Sequence, residues 1–440
     1  MSNFGALIYA ASMATMPILI WRIPQYAWAC TMCMLGLDQL GQSTLPLIQR
    51  YPSLTNLVVG ICAIIAVLRS WRSALTSIRL GVLVSLLVAL LFLYTFVSII
   101  WTPAPEEAWS RWLMSMPYLM LGIVITPLLI HDSKSASTAL RSTFFLGAIV
   151  ITGMLLFANW GTRGLVLRSD YADDQTNPLA IATLGGFLAI VALFMQPQKF
   201  SLSLTLFRLF LAVASVAIIV RSESRGQLVA LLFSIVVVTS VRYRLTRRDI
   251  LNILLLAVVV ACALGYAFFS FTTADDPRWS SSLAAADAHG RVEMAAALLH
   301  RWAASPVSMI FGIGTSASFD NRIIGFYPHI TPAEVLGEEG IIGFVLFVTI
   351  ILFSANRARR RLSATKSNND EREVFSILLG MLCFAVLQSM KEGSLLFNYE
   401  IFMIAIVIAR VSESRVVDDH TGTSSSTPSQ HLIAFSNLMR

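Results

Sequence analysis

Residues Leu80 to Trp101 read LGVLVSLLVALLFLYTFVSIIW, twenty-two consecutive positions without a charge. An α-helix rises about 1.5 Å per residue and the hydrocarbon core of a bilayer is about 30 Å thick, so one helix of this run crosses it. A helix on the surface of a soluble protein needs a polar face, and this run has none. Further apolar runs lie near Leu54–Leu68, Trp112–Ile130, Phe144–Asn159, Pro178–Met195, Leu204–Val220, Gln227–Val241 and Ile250–Phe271. Three more follow, near Glu334–Phe353, Val374–Gln388 and Leu395–Ala409. The first 48 residues hold one or two helices, broken near Arg22 and Pro24; we prefer one.

Composition agrees. Of 440 residues, 56% are hydrophobic and 13% charged, with mean hydropathy +0.72. A soluble domain would carry about 25% charge, so too little polar surface remains to cover a globule. The expectation is an all-α polytopic membrane protein of about 12 transmembrane helices with one large external loop. Its boundaries fall at 1–271 for the N-terminal helices, 272–333 for the loop, 334–411 for the C-terminal helices and 412–440 for a disordered tail rich in Ser, Thr and Asp. Met1 to Ile20 lacks a basic leader region, so no cleavable signal peptide is expected. The CxxC of Cys30 and Cys33 lies in an apolar run without a second pair, which favours packing over metal or redox chemistry.

The breaks between runs alternate in charge. One set is basic: Arg69, Arg72 and Arg79; Lys134 and Arg141; Lys199; Arg242, Arg244, Arg247 and Arg248; Arg357, Arg359, Arg360, Arg361 and Lys366. The positive-inside rule assigns this set, and the tail, to the cytoplasm. The net charge of +7 then reflects topology, and no nucleic-acid partner is implied. Asn159–Asn177, Arg221–Gly226 and Thr272–Pro332 fall outside.

Three external segments hold polar groups unusual for simple connections. In Arg221-Ser222-Glu223-Ser224-Arg225-Gly226, two arginines stand at a helix mouth. A planar guanidinium grips phosphate oxygens bidentately, a helix N-terminus adds positive dipole, and Gly226 lets a bulky ligand approach. The bland alternative is snorkelling, with Arg221 paired to Glu223. In the long loop, Gly290-Arg291 opens an amphipathic helix whose Met294, Leu298 and Trp302 share a face that packs on the membrane surface or on the protein. The Gly312-Ile313-Gly314 turn lacks the preceding strand that a nucleotide site needs. In the third segment, His329 precedes a helix carrying Glu334, Glu338 and Glu339. Carboxylates in a first turn complement the helix dipole. Inside a membrane, however, they are costly and mark sites or buried pairs. A histidine beside them suits general-base work.

These segments resemble the patches of the O-antigen ligase and O-antigen polymerase superfamily. His329, Gly340 and Gly343 match the spacing of its His-(Asn/Ser/Gln)-x9-Gly-x-x-Gly pattern, although Ile330 stands where the family has the polar residue. Ser224-Arg225-Gly226 matches its Ser-Arg-Gly, Gly290-Arg291 its loop Gly-Arg, and Arg168 with Asn177-Pro178 a further arginine and Asn-Pro pair. The resemblance implies a GT-C-like glycosyltransferase of the bacterial inner membrane with its active site facing the periplasm. It implies a glycan donor on undecaprenyl pyrophosphate, and as acceptor either lipid A-core, for a ligase, or a second lipid-linked repeat, for a polymerase. No metal and no cofactor are implied. Arg225 and Arg291 would clamp pyrophosphate with Arg221 and Arg168 in support, and His329 would take the acceptor proton. Glu338 would orient His329 or the long loop. The spacing from His329 to Gly340 and the single dominant loop favour ligation to lipid A-core. A transporter would show repeated, broken helices in two halves, and no such symmetry is visible.

Orientation is directly testable. In intact cells, an engineered cysteine at Ser281 should react with an impermeant maleimide and one at Ser363 should not. The reverse pattern would overturn the topology.

Overall fold

The computed structural model describes residues 2–161, 164–165, 179–195, 201–242, 265, 281–364, 369–391 and 393–421. The chain is a multi-pass membrane protein. Its N-terminal helices are α1 (Ser2–Arg22), α2 (Tyr26–Thr44), the short α3 (Pro46–Arg50), α4 (Ser53–Arg69), α5 (Trp71–Ser77) and α6 (Val82–Val97). Next come α7 (Pro105–Leu119), α8 (Ser133–Phe157), α9 (Leu179–Phe194), α10 (Leu202–Arg221) and α11 (Arg225–Arg242). The loop region contributes α12 (Ser281–Trp302) and α13 (Pro306–Phe311). The chain closes with α14 (Thr331–Ala364), α15 (Asn369–Ser389) and α16 (Tyr399–Thr421). Among the described residues, eight helices are long and apolar enough to cross a membrane, and the shorter α4 and α9 are also apolar. A two-residue antiparallel ladder, Trp160 with Leu165 and Gly161 with Gly164, is the sole β-structure among the described residues.

The decisive run shows why these helices need lipid. Along α6, Leu83, Leu86, Leu90 and Leu93 are 46–61% exposed, while Val84, Val88 and Leu91 are fully buried. An outward stripe of leucines is stable only against hydrocarbon. The centre is α9, which packs on α2, α8, α10, α11 and α15 and is buried on every side from Leu184 to Phe194. Small residues let these helices approach: Gly147 faces Leu188, Gly186 faces Phe384 and Gly380 faces Ile190. Cys30, Cys33 and Cys62 are buried free thiols in this packing.

Three sequence expectations change. The first 44 residues form two helices, because Pro24 lacks a backbone N–H and the chain turns at Ile23–Gln25. The Arg69 guanidinium lies 4.7 Å over the Trp21 ring, so the C-terminal ends of α1 and α4 share the basic face. Two helices therefore stand where a single spanning element was preferred, and of the two α1 is long and apolar enough to cross a membrane. α8 begins at Ser133, so Lys134 and Arg141 lie within its first turns rather than in a connection. Asp132 caps it, accepting from Ser135 N at 2.7 Å. Finally, α16 runs to Thr421, so helix continues past the tail boundary expected at Ser412. The apolar run at 250–271 lies outside the described residues.

Arginines at the basic face also close helix ends. Arg208 donates to Ala192 O and Leu193 O, both at 2.9 Å. Arg242 donates to Phe194 O at 2.7 Å. Arg372 reaches Arg242 O, and Arg410 reaches Pro127 O at 2.8 Å. Arg208, Arg242 and Arg372 satisfy carbonyls that a helix leaves unpaired at its end, and Arg410 adds a second donor to a carbonyl that also accepts from Ile130 N at 3.2 Å.

The long helix α14 is broken. Gly340 has φ 66° and ψ −168° inside it, a conformation open in practice to glycine alone. A Cβ there would overlap Gly312 N and Ile310 O, both backbone atoms that have nowhere to go. Gly340→Ala should therefore cost about 3 kcal/mol or more and lower the melting temperature in detergent sharply. Gly60, on α4 with nothing within 4 Å of an added Cβ, is the control: Gly60→Ala should be neutral or stabilise by roughly 0.5–1 kcal/mol.

Candidate functional site

The break at Gly340 frees carbonyls, and the long loop takes them. Ile313 N donates to Gly337 O at 3.1 Å and Gly314 N to Glu338 O at 2.9 Å. The Gly312-Ile313-Gly314 turn can lie this close because Gly312 and Gly314 have φ 78° and 98° and carry no side chain. The Glu338 carboxylate holds the next stretch, accepting from Ser316 N at 2.6 Å and Ser318 N at 2.9 Å. Thr315 N donates to Ser98 Oγ at 2.9 Å, and Tyr94 Oη donates to Phe311 O at 2.8 Å, so the loop is tied to α6 as well. Glu338 thus contacts the loop rather than the imidazole of His329. α12 lies on the same support: Leu298 is fully buried against Gly337, so the amphipathic stripe packs on the protein.

From this anchor the chain runs to His329. Asp320 closes a turn by accepting from Arg322 N, Nε and Nη2, and the guanidinium holds its carboxyl down at about 2. His329 then takes φ 58°, which histidine tolerates better than most residues. Its ring centroid lies 4.2 Å from that of Tyr327 and 6.0 Å from that of Phe326. Thr331 Oγ1 donates to Gly393 O at 3.1 Å and accepts from Asn398 Nδ2 at 2.8 Å. Glu334, buried one turn into α14, accepts from Leu395 N at 3.3 Å.

The arginine turn meets the same 391–398 segment. α10 ends in a motif in which Glu223 N donates to Val220 O at 2.9 Å and Ser224 N to Ile219 O at 3.2 Å. Glu223 occupies the left-handed position, φ 56°, where glycine is usual. The reversal is tight enough that α11 starts at once with Arg225, and Gln227 N and Leu228 N both donate to Ser224 O, at 3.1 and 3.3 Å. Arg221, at the end of α10, is exposed and lies 4.9 Å over the Trp160 ring. The space at Gly226 is filled from within the protein, a departure from the expected ligand approach: an added Cβ would overlap Lys391 Cδ. Arg291 is half-buried on α12, one turn before Ala295. Arg168, Asn177 and Pro178 lie outside the described residues.

Between these parts is a cavity of about 350 Å³ lined by residues of α2, α7, α9 and α16 and of the 388–398 segment. Tyr327 lines it, so one ring touches both the cavity and the imidazole. Its polar lining includes Arg111, Thr183, Gln388, Asn398 and Glu400. Arg111 escaped the sequence reading. It sits between Trp109 and Trp112, pairs with Glu107 at 2.6 Å and lies 3.6 Å over Phe319, so it joins α7 to the loop. Lys391 escaped as well. The available signal was a charged residue at the edge of an apolar run. No cluster of three or more His, Cys, Asp or Glu suited to a metal occurs among the described residues.

Residues 210–348 match the family model described as O-antigen ligase. The match covers about a third of the chain and contains Arg225, Arg291, His329, Gly340 and Gly343. It supports the resemblance to the O-antigen ligase and polymerase superfamily, and with it a membrane glycosyltransferase of ligase or polymerase type. Comparison with curated proteins finds no match.

The Glu338 clamp can be tested alone. Glu338→Gln replaces one acceptor oxygen with a donor facing a donor, and leaving one amide unpaired costs roughly 1–3 kcal/mol. Hydrogen exchange at Ser316 and Ser318 should speed up by about tenfold or more. Unchanged exchange would show that the carboxylate does not hold the loop.

Proposed function

We propose that the chain transfers a glycan from a polyprenyl pyrophosphate carrier to an acceptor hydroxyl at the face opposite its basic face, with lipid A-core as the preferred acceptor. One observation carries this reading. The Arg225 turn and the His329 turn, about a hundred residues apart in sequence, both close on the 391–398 segment, through Gly226 against Lys391 and Thr331 on Gly393. The two turns assigned a cation for the leaving phosphate and a base for the attacking hydroxyl thus share one segment, whose Gly393, Ser394, Phe397 and Asn398 line the cavity; Tyr327 lines it as well, while Arg225 and His329 do not.

The chemistry follows from the groups. The acceptor oxygen attacks the anomeric carbon while the bond from that carbon to the pyrophosphate oxygen breaks. The acceptor proton passes to the His329 imidazole, and the electron pair leaves on lipid pyrophosphate. Arg225 offers a planar, permanently charged fork to that developing charge. Arg291, Arg221 and Arg168 are assigned supporting roles on the donor. Glu338 acts through the loop it holds. The arginines meet the electrostatic demand, so the proposed reaction runs without a metal. Polymerisation, with a second lipid-linked repeat as acceptor, uses the same groups and differs only in the acceptor.

Purified protein in nanodiscs, given a lipid-linked donor and lipid A-core, tests the assignment. His329→Ala should cut transfer by about 10²–10⁴-fold while donor binding persists. The pH–rate limb near the histidine range, about 6.5, should disappear. Arg225→Lys keeps charge but loses the fork and should remain severely impaired. Normal transfer by the stably inserted His329→Ala variant would remove the base from the proposal. Transfer to a second lipid-linked repeat and none to lipid A-core would identify a polymerase.

A further inference from the structure

Lys391 follows the last turn of α15, between two residues that line the cavity, Gln388 and Gly393. Its stem crosses the backbone at Gly226. A Cβ there would overlap Cδ, and would stand 2.9 Å from Cε and 3.1 Å from Nζ. The ammonium donates to Gln227 Oε1 at 3.2 Å, and Gln227 is fully buried. This groove therefore exists only because residue 226 has no side chain. Holding a flexible four-carbon stem in it costs rotamer entropy that an ordinary surface lysine avoids.

The groove leads to a specific place. Gly226 and Gln227 belong to the first turn of α11, where the helix dipole is positive, and Gln227 N donates to Ser224 O at 3.1 Å. Arg225 opens that turn. A lysine directed here adds a third positive element beside a guanidinium and a helix N-terminus. Glu223 is the acidic group of the same reversal; set against it, Arg225 and Lys391 leave a net positive charge suited to a multiply charged anion.

We infer that Lys391 is a phosphate-binding residue: its ammonium, guided across Gly226, takes an oxygen of the donor pyrophosphate alongside Arg225. This rests on the pyrophosphate reading of the site proposed above and adds a residue from the C-terminal helices, outside the segment that matches the ligase family. On this view Gly226 serves the lysine rather than the ligand.

The experiment uses the full chain in nanodiscs with inorganic pyrophosphate as the probe. Lys391→Gln keeps a donor for Gln227 but removes the charge, and should weaken binding by roughly tenfold or more. Gly226→Ala should do the same by displacing the stem. The double variant Gly226→Ala/Lys391→Ala should bind no worse than Lys391→Ala, because the added methyl then occupies vacated space. The salt dependence of binding should also be shallower in Lys391→Gln, whereas a purely structural lysine would leave it unchanged. Arg225→Ala is the reference. If Arg225→Ala weakens binding and Lys391→Gln does not, the lysine assignment is wrong and the site stands. If neither substitution changes binding, or the unmodified chain does not bind pyrophosphate, the site reading falls and the lysine with it. Additive losses in the double variant would overturn the link between Gly226 and Lys391.

Discussion

The break in α14 at Gly340 is the constraint on which the rest of the site depends. A helix interrupted in the protein interior exposes carbonyls that water cannot reach, and each unsatisfied group is costly there. The chain meets this demand with its own loop. Ile313 and Gly314 supply backbone amides, and Glu338 supplies a carboxylate to the amides that follow. The same bonds that repair the helix fix where the loop leaves it. The positions of Phe319, Tyr327 and His329 follow from that.

The apolar helices were legible because their length and lack of charge leave few alternatives. Val82 to Ile100 needed no further information. α2 was harder, because Asp38, Gln39 and Gln42 interrupt its hydropathy. In the structure Asp38 accepts from Gln42 Nε2 at 2.8 Å and both Asp38 and Gln39 are buried, so internal pairing hides what hydropathy counts as polar. The extension of α16 past Ser412 was missed for a related reason: helix propensity continues where hydrophobicity stops.

At the site, residue types were readable but contacts were not. Gly226 signals that a side chain would be intolerable, without saying what occupies the space. Sequence reasoning reserved that space for a ligand, and the structure fills it with Lys391, which is distant in sequence. Arg111 shows the same limit: its partners Glu107 and Phe319 lie on two elements whose approach no local pattern encodes. The spacing from His329 to Gly340 and Gly343 had more content, since Gly340 is required by its backbone angles and Gly343 by the nearness of Glu339 Cβ.

The arginines that close helix ends at the basic face tie two properties of the chain together. Removing Arg208, Arg242, Arg372 or Arg410 to test which way the protein is threaded would also take a hydrogen-bond donor from an acceptor carbonyl. Threading and thermal resistance therefore cannot be varied independently at these four positions. A charge-reversed chain that fails to accumulate would report uncapped helices as much as an inverted insertion. A replacement at these positions must supply both the positive charge and the planar fork that reaches a neighbouring helix, and lysine supplies the first without the second.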